Sequence, residues 1–108
     1  DGEIGGDFVF IDDVVSALVA GMQNPPTDRR TLDVGYGVAT TILEAANTIA
    51  AQHSAPVPAI CGKFRDGDVR WAVADPAPLA EQLDVRARVT FEEGARRVAD
   101  WLIDRGYA

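Results

Sequence analysis

The sequence predicts one small α/β domain. Its 108 residues suffice for a single hydrophobic core, and 47% of them are hydrophobic. Apolar residues recur at helical spacing in several segments, and short runs rich in aromatic and β-branched residues lie between these segments. Helices separated by short strands indicate a small α/β layer. We therefore expect about three main helices and three short strands.

The first predicted unit is a strand followed by a helix. Residues 7–11 (DFVFI) are rich in aromatic and β-branched side chains, as is typical of a strand. The acidic pair Asp12 and Asp13 then supplies an N-cap, and apolar residues at helical spacing follow as far as Met22. Negative charge is favoured at a helix start, so we interpret the pair as capping rather than as a pair of catalytic carboxylates.

The second predicted unit is a strand over residues 31–34 and a helix from about Thr41 to His53. Thr41 and Glu44 have the spacing of a capping box, and an apolar stripe follows them. The Gly-Tyr-Gly sequence between strand and helix superficially resembles a dinucleotide-binding turn. No acidic residue follows the next strand to bind a ribose, so we favour a structural turn.

The last part of the chain alternates extended and helical predictions. In order, these are a strand over 57–60, a charged loop over 62–68, an extended segment over 69–73, a short helix over 76–83 and a final helix. Thr90 and Glu93 have the spacing of a second capping box, which opens the final helix, and Gly106 closes it.

Composition argues against several classes of protein. Ten basic residues against seventeen acidic ones give a formal charge of −7, which would repel a nucleic-acid backbone. No apolar run approaches the roughly 18 residues that a membrane span requires, so no membrane association is expected. A single cysteine, Cys61, cannot form an internal disulfide, which favours a cytoplasmic location.

The charged loop is the best candidate binding site. Arg65 could clamp a phosphate through two parallel N–H donors, and Asp68 could accept hydrogen bonds from sugar hydroxyls. The alternative is a solvated loop whose charges pair with each other. Cys61 and the single histidine, His53, lack the further ligands of a metal site and the activating base of a nucleophile, so we predict no metal site.

Four stretches of the chain resemble motifs of the NAD-dependent epimerase/dehydratases, the extended short-chain dehydrogenase/reductases. Residues 7–15 (DFVFIDDVV) are similar to the family's RDFVYVDDVV. The other three are residues 31–43 (TLDVGYGVATTIL), similar to YNVGSGxxxTIL; 62–75 (GKFRDGDVRWAVAD), similar to GxxRxGDVRHxxAD; and 88–102 (RVTFEEGARRVADWL), similar to xVSLEEGLxxTxxWL. They keep the family's order and spacing over nearly the whole chain.

The resemblance implies that residues 1–108 are a single partial domain, the C-terminal nucleotide-sugar-binding region of a longer sugar epimerase. The start at Asp1, without an initiator methionine, fits this expectation. In the family, a Rossmann domain binds NAD and carries a catalytic Tyr-x-x-x-Lys pair. Neither motif occurs in these residues, so we expect the chain to contain no catalytic and no cofactor-binding residue. The implied partners are a nucleotide-diphosphate sugar, the Rossmann domain and, at full length, a second subunit in a homodimer.

The resemblance also implies roles for particular residues. Arg65 would contact the diphosphate, Asp68 the nucleotide ribose, and Ile42 would pack on the base. Phe8 stands where the family has an aromatic residue near the nucleotide. Gly6 departs from the pattern, because most relatives have there an arginine that is a second phosphate ligand.

Two alternatives stay open. The same scaffold also serves nucleotide-sugar dehydratases, reductases and decarboxylases, and the residues that distinguish these reactions would lie upstream of Asp1. A stand-alone binding module without enzymatic activity is the other alternative. On either enzymatic interpretation we expect the chain to expose the apolar face that would meet the Rossmann domain, and to self-associate through it.

Overall fold

The computed structural model describes residues 1–107 and contains, within them, four helices and three short strands. In chain order these are β1 (Gly5–Gly6), α1 (Ile11–Gln23), β2 (Thr40–Thr41), α2 (Ile42–Gln52), β3 (Trp71–Ala72), α3 (Ala77–Leu83) and α4 (Phe91–Asp104). The predicted α/β class is confirmed. The four helices include the short one that was predicted over 76–83. None of the described helices is long and apolar enough to cross a membrane.

Strand β1 lies in the centre of the sheet. It pairs antiparallel with β2, Gly5 opposite Thr41, and parallel with β3, Gly5 opposite Trp71. The Trp71 ring lies so close to Gly5 that it would collide with any Cβ placed there. A larger residue at this strand position would force the Trp71 ring to move. The sheet brings the start of α2 and the start of β3 to the first six residues of the chain.

Three predicted strands are wrong. Residues 7–11, 31–34 and 57–60 carry no strand, and Ile11 instead begins α1. The sheet uses two residues from each of β1, β2 and β3. A β-branched run forms a strand only when a neighbouring strand satisfies its backbone groups, and none pairs with these segments in the described chain. The side chain of Asp7 accepts hydrogen bonds from the backbone of the turn that follows residues 31–34.

The acidic pair does not cap α1 as predicted. The helix begins one residue earlier, at Ile11, and Phe10 is its N-cap with no side-chain hydrogen bond, so Asp12 and Asp13 lie in its first turn. Asp13 is buried, with 8% exposure, and accepts a hydrogen bond from the Val89 backbone N–H at 3.0 Å. Its carboxylate therefore ties α1 to the segment that precedes α4.

The capping box of α2 is confirmed. The Thr41 hydroxyl accepts from the Glu44 N–H at 3.1 Å, and the Glu44 carboxylate accepts from the Thr41 N–H at 2.7 Å. These bonds, the Thr41 N–H first, hold the pKa of Glu44 below its usual value. In α4 only half of the second box forms. Thr90 accepts from the Glu93 N–H, but the Glu93 carboxylate pairs with two arginines of its own helix instead.

Few apolar side chains are buried among residues 1–107. Helix α1 packs on α3 and α2 packs on α4, and the buried apolar residues among those described are Ala17, Ala45, Leu79 and Ala80. Ile11, Leu18 and Met22 follow one another along α1 and are 63%, 62% and 80% exposed. The expected exposed apolar face is therefore present, and the described chain leaves it largely uncovered.

Candidate functional site

The charged loop (residues 62–68) holds its two predicted ligand residues next to each other. The Arg65 guanidinium donates from Nε to Asp68 Oδ1 at 3.0 Å, and the Asp68 N–H approaches the Arg65 carbonyl at 3.4 Å. The Arg65 side chain is 85% exposed. Gly62 and Gly67 adopt left-handed φ angles of +73° and +86°, which other residues rarely adopt. In the structure the charges of Arg65 and Asp68 satisfy each other at the surface.

The first residues of the chain adjoin this loop. The Gly5 N–H donates to the Arg70 carbonyl at 2.9 Å, just before β3. The Arg70 guanidinium donates from Nη2 to Asp1 Oδ2 at 2.8 Å, and the Asp1 main-chain nitrogen donates to the Lys63 carbonyl at 3.2 Å. Residues on both sides of Arg65 and Asp68 therefore contact the segment that leads into β1.

Ile42 lies on the other side of that segment. It is the first residue of α2, its N–H donates to the Ile4 carbonyl at 2.9 Å, and its side chain is about half exposed. Ile42 lines a cavity of about 140 Å³ together with Asp1 and Lys63. The structure thus places Ile42 near the base of the charged loop. The sequence does not reveal this proximity, because Ile42 and the loop are far apart along the chain.

Phe8 lines a different and larger cavity, an apolar groove of about 380 Å³. Its ring meets the Phe91 ring edge to face, with centroids 5.0 Å apart. The groove is also lined by Ile49 of α2, by His53 at the C-cap of that helix, and by Val98 and Leu102 of α4. The four predicted ligand residues therefore do not share one pocket, because Phe8 lies in the groove whereas Ile42 and the charged loop adjoin the start of the chain.

Asp7, between Gly6 and Phe8, is a key residue that the sequence reasoning missed. Its Oδ1 accepts from the Tyr36 N–H at 2.8 Å, and its Oδ2 accepts from the Gly37 N–H at 2.8 Å and the Ala74 N–H at 3.1 Å. One part-buried carboxylate thus joins three distant segments. Two features of the sequence could have indicated this role. Asp7 is a charged residue directly before an apolar run, and the Gly-Tyr-Gly turn has backbone N–H groups that need acceptors.

The Gly-Tyr-Gly turn therefore surrounds a carboxylate of its own chain. A Cβ on Gly35 would lie 2.6 Å from Asp7 Oδ2, and Gly37 has a φ of +85°. In a dinucleotide-binding turn the corresponding N–H groups approach a pyrophosphate. Here two of them already donate to Asp7. These residues do not fit the pyrophosphate of NAD, and we assign no step of a reaction to the cofactor at this position.

Gly6 has free space beside it. No heavy atom lies within 4 Å of the position a Cβ would occupy, and its φ is outside the left-handed region. A side chain at position 6 would therefore fit on β1, between β2 and the strand that follows the charged loop. Among residues 1–107, no three His, Cys, Asp or Glu side chains are close enough together to hold a metal ion.

Comparison with known proteins gives two relatives. The chain is 40% identical over 102 residues to dTDP-L-rhamnose 4-epimerase from Burkholderia thailandensis and 33% identical over 102 residues to UDP-glucose 4-epimerase from Mycolicibacterium smegmatis. Each match covers 94% of this chain but only 28% and 32% of the respective relative. The chain therefore spans about 30% of the length of these relatives. No protein-family model matches it.

A solved structure gives the same correspondence. UDP-glucose 4-epimerase from Stenotrophomonas maltophila, with bound NAD and formylated UDP-arabinopyranose, superposes with a TM-score of 0.85 at 28% identity. The match covers 98% of this chain and 32% of that one. The matched region is the C-terminal part of the epimerase structures. In sequence and in fold the chain therefore corresponds to the C-terminal part of nucleotide-sugar epimerases, which confirms its resemblance to the NAD-dependent epimerase/dehydratases.

Proposed function

We propose that residues 1–108 form the nucleotide-sugar-binding part of an NAD-dependent sugar epimerase. The observation that carries the proposal is the pair of Arg65 and Asp68 on an exposed loop beside Ile42, in a chain 40% identical to a dTDP-L-rhamnose 4-epimerase. The loop supplies a bidentate phosphate donor and a hydroxyl acceptor, and Ile42 supplies an apolar surface for a base. A nucleotide-diphosphate sugar contains all three complementary groups.

Ligand binding requires that Arg65 and Asp68 separate. Their ion pair is exposed, and exposed ion pairs contribute little free energy, roughly 1 kcal/mol at most. A diphosphate offers Arg65 two anionic oxygens in place of one carboxylate oxygen, and ribose hydroxyls can donate to the freed Asp68 carboxylate. The pair that forms without ligand is therefore easily exchanged for ligand contacts.

In this proposal the catalytic residues lie in a part of the enzyme outside residues 1–108. NAD, when bound by the part of the enzyme outside these residues, would supply hydride-transfer chemistry at a sugar carbon. Arg65, Asp68 and Ile42 bind and orient the nucleotide. Phe8 lines the separate apolar groove, so its contact with the nucleotide rests on the family resemblance alone. Epimerisation is the proposed reaction because both relatives are named 4-epimerases. A homodimer and a cytoplasmic location complete the proposal.

Calorimetric titration of the full encoded protein with UDP, dTDP and their glucose and rhamnose conjugates tests this function. Loss of a charge-assisted bond costs about 1.5–3 kcal/mol, so Arg65→Ala should weaken binding roughly tenfold to a hundredfold. Arg96→Ala is the matched control, since Arg96 is an exposed, ion-paired arginine on α4. If no nucleotide binds, or if Arg65→Ala binds as tightly as the wild type, the proposal is wrong.

Gly6 permits a complementary gain-of-affinity test. Position 6 has open space, and arginine is the usual residue there in the family, so Gly6→Arg should tighten diphosphate binding. Gly6→Met is the matched control, because it adds a long side chain without charge. Equal affinities for the two variants would show that position 6 does not face the diphosphate.

A further inference from the structure

Asp1 contacts the chain on both sides of the proposed phosphate ligand Arg65. Its main-chain nitrogen donates to the Lys63 carbonyl at 3.2 Å, and its carboxylate accepts from the Arg70 guanidinium at 2.8 Å. We propose that the Asp1–Arg70 ion pair is a positioning device that holds Arg65 in place for the diphosphate. The inference rests on the proposed nucleotide-binding function of the charged loop.

The charged loop has little else to hold it. Gly62 and Gly67 have left-handed φ angles and no heavy atom near their Cβ positions, so neither is packed against the domain. Within residues 1–107, only one hydrogen bond links residues 62–69 to another part of the chain, and it runs from the Asp1 main-chain nitrogen to the Lys63 carbonyl. The position of Arg65 therefore depends on contacts at the two ends of the loop.

Asp1, by contrast, belongs to a well-attached segment. Its Oδ1 accepts from the Glu3 N–H at 3.1 Å, and the carbonyl of buried Gly2 accepts from the Leu43 N–H at 3.1 Å. A Cβ on Gly2 would lie 2.8 Å from the Leu43 Cβ, so this segment lies directly against the start of α2. Asp1 thus links the end of α2 that carries Ile42 with the loop that carries Arg65.

A positioning role and a direct electrostatic role predict opposite signs at Asp1. A carboxylate near an anionic ligand repels it, so Coulomb interaction alone predicts that Asp1→Asn tightens nucleotide binding. If the ion pair positions the loop, the same substitution weakens binding. Asparagine keeps an Oδ1 acceptor for the Glu3 N–H, so the change removes the ion pair with little other effect on the segment.

The test is calorimetric titration of the full encoded protein with UDP and dTDP. Asp1→Asn and Arg70→Ala should each weaken binding about threefold to fivefold, the range expected for loss of an exposed ion pair. Arg70→Lys, which keeps the charge, should restore most of the affinity. Arg96→Ala again serves as the control and should bind as the wild type does.

Additivity with Arg65→Ala separates positioning from a general structural role. If Arg70 acts through Arg65, Arg70→Ala should cause no further loss in the Arg65→Ala background. A loss of equal size in both backgrounds, or tighter binding by Asp1→Asn, would overturn the inference. Thermal melting of each variant checks folding, and Asp1→Asn with Arg70→Lys suffices for the test if Arg70→Ala does not fold.

The failures of the two proposals are distinguishable. If the wild type binds neither UDP nor dTDP, the proposed function fails and the positioning role fails with it. If the wild type binds and Arg65→Ala weakens binding, but Asp1→Asn and Arg70→Ala bind as the wild type does, only the positioning role is wrong.

Discussion

Two carboxylates of this chain have opposite surroundings. Asp7 is part-buried, and its carboxylate accepts hydrogen bonds from three backbone N–H groups in two other segments of the chain. Asp68 lies in an exposed loop and accepts from a single arginine three residues away. The backbone donors around Asp7 cannot leave without unfolding the turn, whereas Arg65 can rotate away from Asp68 into solvent or onto a ligand. The Asp68 carboxylate can therefore exchange its partner for a ligand, whereas the Asp7 carboxylate is committed to backbone donors.

Removing each carboxylate tests this difference most strongly. Asp7→Ala leaves three backbone donors without a partner, so we expect a loss of roughly 2–4 kcal/mol in the free energy of unfolding. Asp68→Ala should change it by less than about 0.5 kcal/mol, because an exposed ion pair contributes little. Urea unfolding of the two variants measures both values. Similar losses for the two would mean that burial and hydrogen bonding do not distinguish these sites.

The glycines of the two regions give a second comparison. Gly37 and Gly67 have nearly the same φ, +85° and +86°, but a Cβ on Gly37 would lie 2.7 Å from Pro76 Cγ whereas one on Gly67 meets nothing. Gly67→Ala should cost only the backbone strain, about 1 kcal/mol. Gly37→Ala should cost about 1–2 kcal/mol more because Pro76 must move. Chemical denaturation of both proteins measures the difference, and equal costs would contradict the close approach.

The start of α2, which carries Ile42, supports the loop side of the molecule. Thr41→Ala removes the hydroxyl that accepts the Glu44 N–H, and loss of such a cap costs about 0.5–2 kcal/mol. Thr40→Ala, at the neighbouring position of β2, serves as the control because the Thr40 hydroxyl is not the cap of α2. Thermal unfolding should separate the two variants. If Thr40→Ala destabilises as much as Thr41→Ala, the capping box is not the cause.

The smallest expected effect concerns pH. Hydrogen bonds with Arg97 first, and then the charges of Arg97 and Arg96, hold the pKa of Glu93 below its usual value. A lowered folded-state pKa stabilises the fold above the unfolded pKa, and this contribution is lost as pH falls through the folded pKa. Melting temperature should therefore fall slightly less for Glu93→Gln than for the wild type between about pH 6 and pH 3. Parallel profiles would show that this exposed cluster contributes nothing.

The helices could be predicted from the sequence because their signals are local. The capping box of α2 and the apolar spacing of α4 each involve residues within a few positions of one another. The strands could not. Gly5 and Gly6 have no β propensity, and they form a strand only because β2 and β3 lie on either side of them. The runs over 31–34 and 57–60 have the propensity but no partner strand.

The candidate site shows the same limit. The residue types and spacing of Arg65 and Asp68 indicate a phosphate and hydroxyl loop, and the structure places the two in contact. The contacts of Asp1 with Lys63 of this loop and with Arg70 beyond it, and the hydrogen bonds of Asp7, join residues that are far apart in the sequence. No local pattern encodes such pairs, because they depend on how the whole chain folds. Nothing in the sequence therefore distinguishes Asp1, Arg70 and Asp7 from ordinary surface charges.

The two-residue strands also have a consequence for the order of folding. Gly5 pairs with Thr41 on one side and with Trp71 on the other. The central strand can therefore complete its pairing only after both of these more C-terminal segments have folded onto it. Closing such long loops costs entropy that local contacts do not, and contacts of high sequence separation slow folding. During synthesis, α1 and α2 emerge before Trp71 does. The helices can therefore form while Arg65 still lacks the strand that will hold its loop against the start of the chain.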